Sequence, residues 1–362
     1  MILKKLQLRN FRNYEIAAFD FCPHINLILG QNAQGKTSAL EAVYLLAIGR
    51  SFRAARLGDL IKREKEGFYV ETTFLARDVE QKIALAFDGN ERRILHNSTY
   101  YPSLSSLIGL MPVVVMTPDD DLIKGPPQSR RKFIDMQIAQ FDPLYLHHLT
   151  RYFRAMRQRN YLLRQSRLQT IDLWEREMAH AAEYLVSKRL QFIEDLTGAS
   201  APLHEQLSDS EGQLTLNYRG YSEEDDLSAF FLKRFEANRQ KEIKLGSTLS
   251  GPHRDDLDIL IDGHEAKHFA SEGQKRTCVA ALRLASWQML KERSGKTPLM
   301  LIDDFGLSLD KIRRRQFLEA VDNLGQVFIT SVDPLSSELF KRDSASFYVK
   351  EGIISNNSRL TV

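Results

Sequence analysis

Apolar and polar residues alternate along Ile2–Phe11, ILKKLQLRNF, and a period of two predicts an amphipathic β-strand at the start of the chain. Ile25–Leu29, INLIL, is instead apolar without interruption, the pattern of a strand buried on both faces. Helical spacing follows in SALEAVYLLA, Ser38–Ala47, so a strand, a glycine-rich loop and a helix through Leu46 succeed one another closely. Short strands are predicted again at GFYVETTFLA, KIALAFDG and PVVVM, and Asp88-Gly89-Asn90 offers hairpin-type turn chemistry. These predict an antiparallel patch beside the strand–loop–helix core.

The pattern changes at Pro143. From there to Leu196 strand formers are few, and no further Gly or Pro occurs until Gly198. Leu146, Leu149, Phe153, Met156 and Leu163 recur at steps of three and four once Asn160 is counted with them. Ile171, Trp174, Met178, Ala181 and Leu185 repeat that spacing, which predicts a short antiparallel helical hairpin rather than a long coiled-coil arm. Beyond a stretch rich in Ser and acids, Ser208–Asp226, LSAFFLKRFEANRQKEI predicts another helix, and strand patterns return in DLDILIDG, LMLIDD and QVFITS. The expected fold is therefore an α/β domain assembled from both chain ends, residues 1–135 and 246–362, with a mainly helical arm, residues 136–245, inserted between them. No internal repeat or low-complexity tract interrupts it.

Composition sharpens this little. With 362 residues, 43% hydrophobic, the chain can bury a full core. Its 50 Lys and Arg nearly balance 47 Asp and Glu, so attraction for nucleic acid has to come from local patches. Cys22 and Cys278 cannot build a disulfide framework and the nine histidines never pair with cysteine at metal spacing, so a reducing cytoplasm is the expected location. Lys4, Lys5, Gln7 and Arg9 interrupt the N-terminal segment, and no run of about 18 apolar residues occurs, which predicts neither a signal peptide nor a membrane span.

The chemistry is concentrated in Gly30–Thr37, GQNAQGKT, which fits G-x-x-x-x-G-K-[ST] between a strand and a helix. Gly30, Gln31, Asn32, Ala33, Gln34 and Gly35 would wrap backbone N–H groups around a β-phosphate; Lys36 would reach the β- and γ-phosphates of ATP, and Thr37 would hold Mg2+. Asp303, after four apolar residues, is the second candidate Mg2+ ligand, and the adjacent Asp304 is the candidate for activating water. A solvated strand end is the alternative for that acidic pair, and it leaves the phosphate loop without a metal-side carboxylate. Ser271, Gly273 and Gln274, in ASEGQKRT, have the form S-x-G-Q at a helix start, where an anion is stabilised, although the same residues also suit an ordinary N-cap. LSLD, Leu307–Asp310, follows the carboxylates.

This order of motifs resembles the ABC-type ATPases of the SMC and RecF group. Five blocks narrow the resemblance to the RecF family of bacterial recombination mediators: LQLRNFRNY (Leu6–Tyr14), GQNAQGKTSALEAVYLLAIGRSFR (Gly30–Arg53), TPDDDLIKGPPQSRRKFID (Thr117–Asp135), SGPHRDDL (Ser250–Leu257) and LIDDFGLSLD (Leu301–Asp310). The resemblance implies an ABC-type P-loop ATPase whose Ser271, Gly273 and Gln274 complete the nucleotide site of a second subunit, giving an ATP-dependent homodimer with Leu307–Asp310 as D-loop. It implies binding to single-strand/double-strand DNA junctions, RecR and RecO as partners, and assistance to RecA loading at gaps and stalled forks. Thr330 or Ser331 stands where transporter ATPases have a switch histidine, and Asp304 where they have glutamate. Both imply slow hydrolysis, and the resemblance implies a weak, DNA-stimulated ATPase acting as a switch.

For DNA contacts, Arg50, Arg53, Arg130, Arg131, Lys132, Arg154 and Arg157 are candidates, since phosphate contacts need mobile cations and carry no sequence code. Arginines spread along a helix more often make a solvated face, and only the resemblance favours DNA. His253 could touch nucleotide or DNA, with a structural hydrogen-bonding role at least as favoured. A transporter ATPase, an SMC-like subunit and a small-molecule kinase share the phosphate loop; no glutamine loop or switch histidine is evident for the first, and the last would not need SEGQ.

Overall fold

The computed structural model describes residues 1–118, 121–208, 212–221, 226–304, 311–332 and 340–360, with backbone alone at 311–312 and 356–360. The chain forms two compact units. One comprises residues 1–119, 206–209 and 272–362, the other 120–205 and 210–271.

The first unit holds two six-stranded sheets. One is antiparallel, in the order β2 (Tyr14–Asp20), β1 (Ile2–Phe11), β4 (Phe68–Ala76), β5 (Val79–Phe87), β6 (Arg92–His96) and β7 (Thr99–Tyr101). The other runs β15 (Ile353–Leu360), β14 (Ser344–Lys350), β3 (Ile25–Leu29), β13 (Val327–Ser331), β12 (Leu299–Ile302) and β8 (Val113–Met116), parallel except for β15. Both ends of the chain therefore build one sheet, as expected. PVVVM departs from expectation: it is β8, an edge of the parallel sheet beside β12, because an unbroken apolar run suits a strand covered on both faces better than a half-exposed antiparallel one.

Helix α1 (Lys36–Ile48) touches β1, β4 and β5 of the first sheet and β8 and β13 of the second. Every residue of it except Thr37 is buried, so it needs no polar face, and Ala, Leu and Val recur on all sides. Glu41 is fully buried within it and is held by Arg12 at 2.8 and 2.9 Å and by the Ser51 hydroxyl. Helices α8 (Glu272–Ser294) and α9 (Lys311–Asp322) complete this unit.

The second unit contains α2 (Asp121–Lys124), α3 (Pro127–Ala139), α4 (Pro143–Arg164), most of α5 (Ile171–Ser208), α6 (Leu227–Leu245), α7 (Ala266–Phe269) and a sheet of β11 (His264–Glu265), β10 (Asp256–Ile261) and β9 (Leu214–Arg219). DLDILIDG is thus β10, in a small antiparallel sheet of this unit, and the units divide at 119 and 272 rather than at 135 and 246. Alternation alone does not say which sheet a strand joins. Helix α5 also runs past Leu196 through Gly198 and Pro202. Pro202 removes one intrahelical donor, and the helix continues past it with Ser200 and His204 buried on either side.

The buried stripe of α4 is Tyr145, Leu149, Tyr152, Ala155, Arg159 and Leu163. It lies one position away from much of the stripe read from apolar spacing, leaving Leu146, Phe153, Met156 and Asn160 half-buried, because a charged residue occupies a core position. Arg159 donates to Glu175 of α5 at 2.8 Å and lies 2.7 Å from Glu242 of α6. A second buried arginine, Arg189 of α5, donates to Asp135 at 2.8 Å, to the Pro252 carbonyl at 2.6 Å and to Asp255 at 3.3 Å. SGPHRDDL is therefore core material. Gly251, at φ 127°, has no room for a side chain, since a Cβ there would lie 2.2 Å from the Tyr152 hydroxyl oxygen.

His253 settles in its structural role. Its Nε2 lies 3.2 Å from the Thr248 carbonyl, which can only accept, so Nε2 carries the proton and Nδ1 accepts from the Tyr152 hydroxyl at 2.6 Å. Burial lowers its pKa to about 4 from the usual 6.5. A depressed histidine pKa favours the fold fully above the unfolded value and loses that contribution as pH falls from about 6.5 towards 4, on the order of 3 kcal/mol in all. Urea unfolding at pH 7.5 and pH 5 is expected to show a larger loss of stability for the parent than for His253→Gln; parallel losses would exclude His253 as the group that titrates.

Candidate nucleotide site

Strand β3 is buried along its length and opens into the loop Gly30–Gly35. Gly30 adopts φ 152°, and a Cβ there would meet the Val349 carbonyl of β14 at 2.3 Å, so only glycine lets the loop leave the sheet at this point. Three successive loop carbonyls are then occupied from outside. Asn13 Nδ2 donates to Ala33 O at 2.7 Å, Gly352 N to Gln34 O at 3.1 Å, and Tyr14 Oη to Gly35 O at 2.9 Å. In a trans peptide the N–H points opposite to the carbonyl, so the amides of Gln34, Gly35 and Lys36 are directed away from those partners. Gly35 caps α1 without a side-chain hydrogen bond, which leaves the first-turn donors for an anion.

Lys36 is 3% exposed and its Nζ donates to Gly30 O at 2.8 Å and Gln31 O at 3.0 Å. Burial lowers its pKa, against the opposing pull of Asp304 and Asp303. Thr37 Oγ1 donates to Asp303 Oδ1 at 2.8 Å across 266 residues of sequence. Thr330 Oγ1 donates to the same oxygen at 2.8 Å and accepts from the Asp304 backbone N–H at 2.7 Å. Burial raises the Asp303 pKa, while the hydrogen bonds from Thr330 and Thr37 act the other way. The donors gathered here are oxygens, the set that Mg2+ prefers to complete with phosphate and water. Asp304, at φ 48°, keeps one buried carboxylate oxygen with no hydrogen bond, 3.9 Å from Lys36 Nζ.

The cavity over these groups measures about 510 Å3, within the range of small-molecule sites, and is lined by Arg12, Asn13, Lys36, Thr37, Arg53 and Asp304 among others. Arg12 and Asn13 form the two-residue turn joining β1 to β2. The sequence does not mark them as site residues, since RN looks like any hairpin turn; only the pairing of Phe11 with Tyr14 carries them to the loop.

Of the other expected site residues, Thr330 corrects its reading. It is fully buried with its hydroxyl engaged on both sides, so it positions Asp303 and Asp304 rather than meeting a phosphate. Ser271 is exposed immediately before α8, with Gly273 and Gln274 half-buried in its first turn, and none of the three lines the described cavity. LSLD, Leu307–Asp310, lies outside the described residues. Arg50 and Arg53 are exposed, and Arg53 also faces the cavity. Arg130 is corrected to a core residue: it is 7% exposed and chelates Asp256 at 2.7 and 2.9 Å, leaving no fork for DNA. Arg131 is half-buried and donates to the Asp255 carbonyl at 2.6 Å. Arg154 and Arg157 are exposed.

A family model described as RecF/RecN/SMC N terminal domain matches residues 2–355. The DNA replication and repair protein RecF of Protochlamydia amoebophila is 47% identical over 340 residues, covering 92% of this chain and 95% of its own. The chain belongs to the RecF family. RecF of Bacillus subtilis strain 168 is 34% identical over 371 residues, 98% of this chain and 100% of its own. A solved structure of the recombination mediator protein RecF with ATP, in the RecFOR pathway, superposes with TM-score 0.90 at 29% identity, covering 99% and 98% of the two chains. An SMC head bound to a ScpA domain shares the fold alone, with TM-score 0.61 at 15% identity.

Within the RecF family frame, the buried Thr330 hydroxyl is the feature to test, since residues that orient metal ligands typically cost 10–100-fold in metal affinity when replaced. Thr330→Val is expected to raise the Mg2+ concentration for half-maximal binding of a fluorescent ATP analogue by about 10-fold or more. An unchanged Mg2+ titration would show that Thr330 does not position Asp303.

Proposed function

We propose that the chain is an ATP-switched recombination mediator of cytoplasmic DNA repair. The bond between Thr37 and Asp303 carries this reading, because it assembles the phosphate loop and the metal-side carboxylate at one cavity from opposite ends of the chain. ATP would lie along Gly30–Thr37 with Mg2+ on Thr37 and Asp303. Asp304, with its unbonded buried oxygen, would accept the proton of the attacking water.

The cavity has no S-x-G-Q residue in its described lining. Ser271, Gly273 and Gln274, at the start of α8, would therefore close over the nucleotide of a second subunit, giving a homodimer that forms with ATP and dissociates on slow hydrolysis. The closed dimer would grip DNA at single-strand/double-strand junctions, with RecR and RecO as partners and RecA loading as outcome. The RecFOR context of the ATP-bound relative supports those partners. A carboxylate shorter than glutamate and a threonine in the place of a switch histidine both favour slow turnover.

Ser271→Arg is expected to remain monomeric with ATP in light scattering while still binding nucleotide; dimerisation equal to the parent's would refute completion of the site by a second subunit. Lys36→Ala should lose nucleotide binding. Asp303→Asn should bind weakly and turn over about 100-fold more slowly, as loss of a preorganised charge contact implies, and retained steady-state hydrolysis would refute the metal assignment.

A further inference from the structure

Helix α4 contains five arginines and no Asp or Glu over its 22 residues. The five divide into two groups. Arg159 is fully buried on Glu175 and Glu242, and Arg151 pairs with Glu177 at 2.6 Å, so these two hold the helix against its neighbours. Arg154, Arg157 and Arg164 are exposed. Together with Tyr161 they fall at steps of three, four and three residues, which places all four on one face of the helix.

Arg164 meets only the Gly246 carbonyl at 3.4 Å, and among the described residues no carboxylate pairs with any of the three. The nearby acids of α5 are already engaged, Glu177 by Arg151 and Glu175 by Arg159 and Arg239. A solvated helix face ordinarily mixes charges of both signs, and like charges three or four residues apart destabilise the helix that carries them. This face is cationic throughout, and Tyr161 stands 50% exposed in the middle of it.

We propose that Arg154, Arg157, Tyr161 and Arg164 form a track for single-stranded DNA, the arginines on phosphates and Tyr161 stacked on a base. The proposal rests on the DNA-binding reading above and assigns the single-stranded part of the DNA to this helix. From Arg154 to Arg164 the helix rises roughly 15 Å, enough to follow a few nucleotides. An exposed aromatic ring offers little to a duplex, whose bases already stack on one another, whereas an unpaired base gains a stacking partner there. An acidic protein would meet the arginines equally well but would not account for a ring placed among them.

The test uses the full-length protein with ATP and Mg2+, fluorescence anisotropy on oligo(dT) and on blunt duplex of the same length, and a range of salt concentrations. All four positions are exposed, so the substitutions leave the core untouched. Tyr161→Ala is expected to weaken oligo(dT) binding about 10-fold without changing its salt dependence and to leave duplex binding intact, with Tyr161→Phe restoring affinity. Arg154→Gln with Arg157→Gln should lower the log–log salt slope on oligo(dT) by about 1.4, two phosphate contacts' worth on a single strand. If Tyr161→Ala leaves oligo(dT) affinity unchanged, or weakens both probes alike, the single-strand track is wrong. If every variant keeps the parent's affinity and slope on both probes, this face does not meet DNA and the proposal falls, while DNA binding by the protein stands. A parent that binds neither probe with ATP would overturn the proposed function itself.

Discussion

The Asp303 carboxylate is the point on which the site depends. One of its oxygens accepts from Thr37, at the start of α1, and from Thr330, at the end of β13. Strand β13 lies between β3, which leads into the phosphate loop, and β12, which leads to Asp303, so the three bonded groups stand at the same ends of adjacent parallel strands. Parallel pairing fixes strand order and direction; the hydrogen bonds then fix side chains within that frame. Burial opposes ionisation of both Asp303 and Lys36, and a bound polyphosphate with a divalent cation would supply the charges that favour their ionised forms. The site is thus built to be electrostatically completed by its ligand.

The second unit is held differently. Its core contains two fully buried arginines, Arg159 and Arg189, each satisfied by carboxylates from other elements; SGPHRDDL contributes Asp255 to Arg189 and Asp256 to the buried Arg130. Removing one partner of such a buried pair typically costs about 3–5 kcal/mol, because the other charge stays behind uncompensated. Arg130 is a candidate nucleic-acid contact when only its charge is known. Its carboxylate partner lies 126 residues away, so nothing in the surrounding sequence marks it as internal.

That difference describes how far the sequence could be read. The phosphate loop and its proximity to Asp303 and Asp304 are legible because backbone approach to an anion demands glycine and because the acidic pair closes a buried strand. The two-ended assembly followed from the separation of those motifs. PVVVM, DLDILIDG and the true stripe of α4 were not legible, since alternation and spacing report burial of a face without naming what covers it. Arg12 and Asn13 escaped for a related reason: a hairpin turn becomes part of a site only through its position over another loop.

Strand β3 ends at Leu29, yet both strands that flank it come from the far end of the chain, β13 beginning at Val327 and β14 at Ser344. On the ribosome, an apolar five-residue strand must therefore wait for about 300 further residues, roughly 15–60 s of synthesis, before either neighbour exists. Until then INLIL is an unpaired, aggregation-prone edge in a nascent chain, and the phosphate loop beside it has no sheet to leave. Premature termination before Val327 would yield a polypeptide carrying an intact nucleotide motif but neither of the strands that flank INLIL.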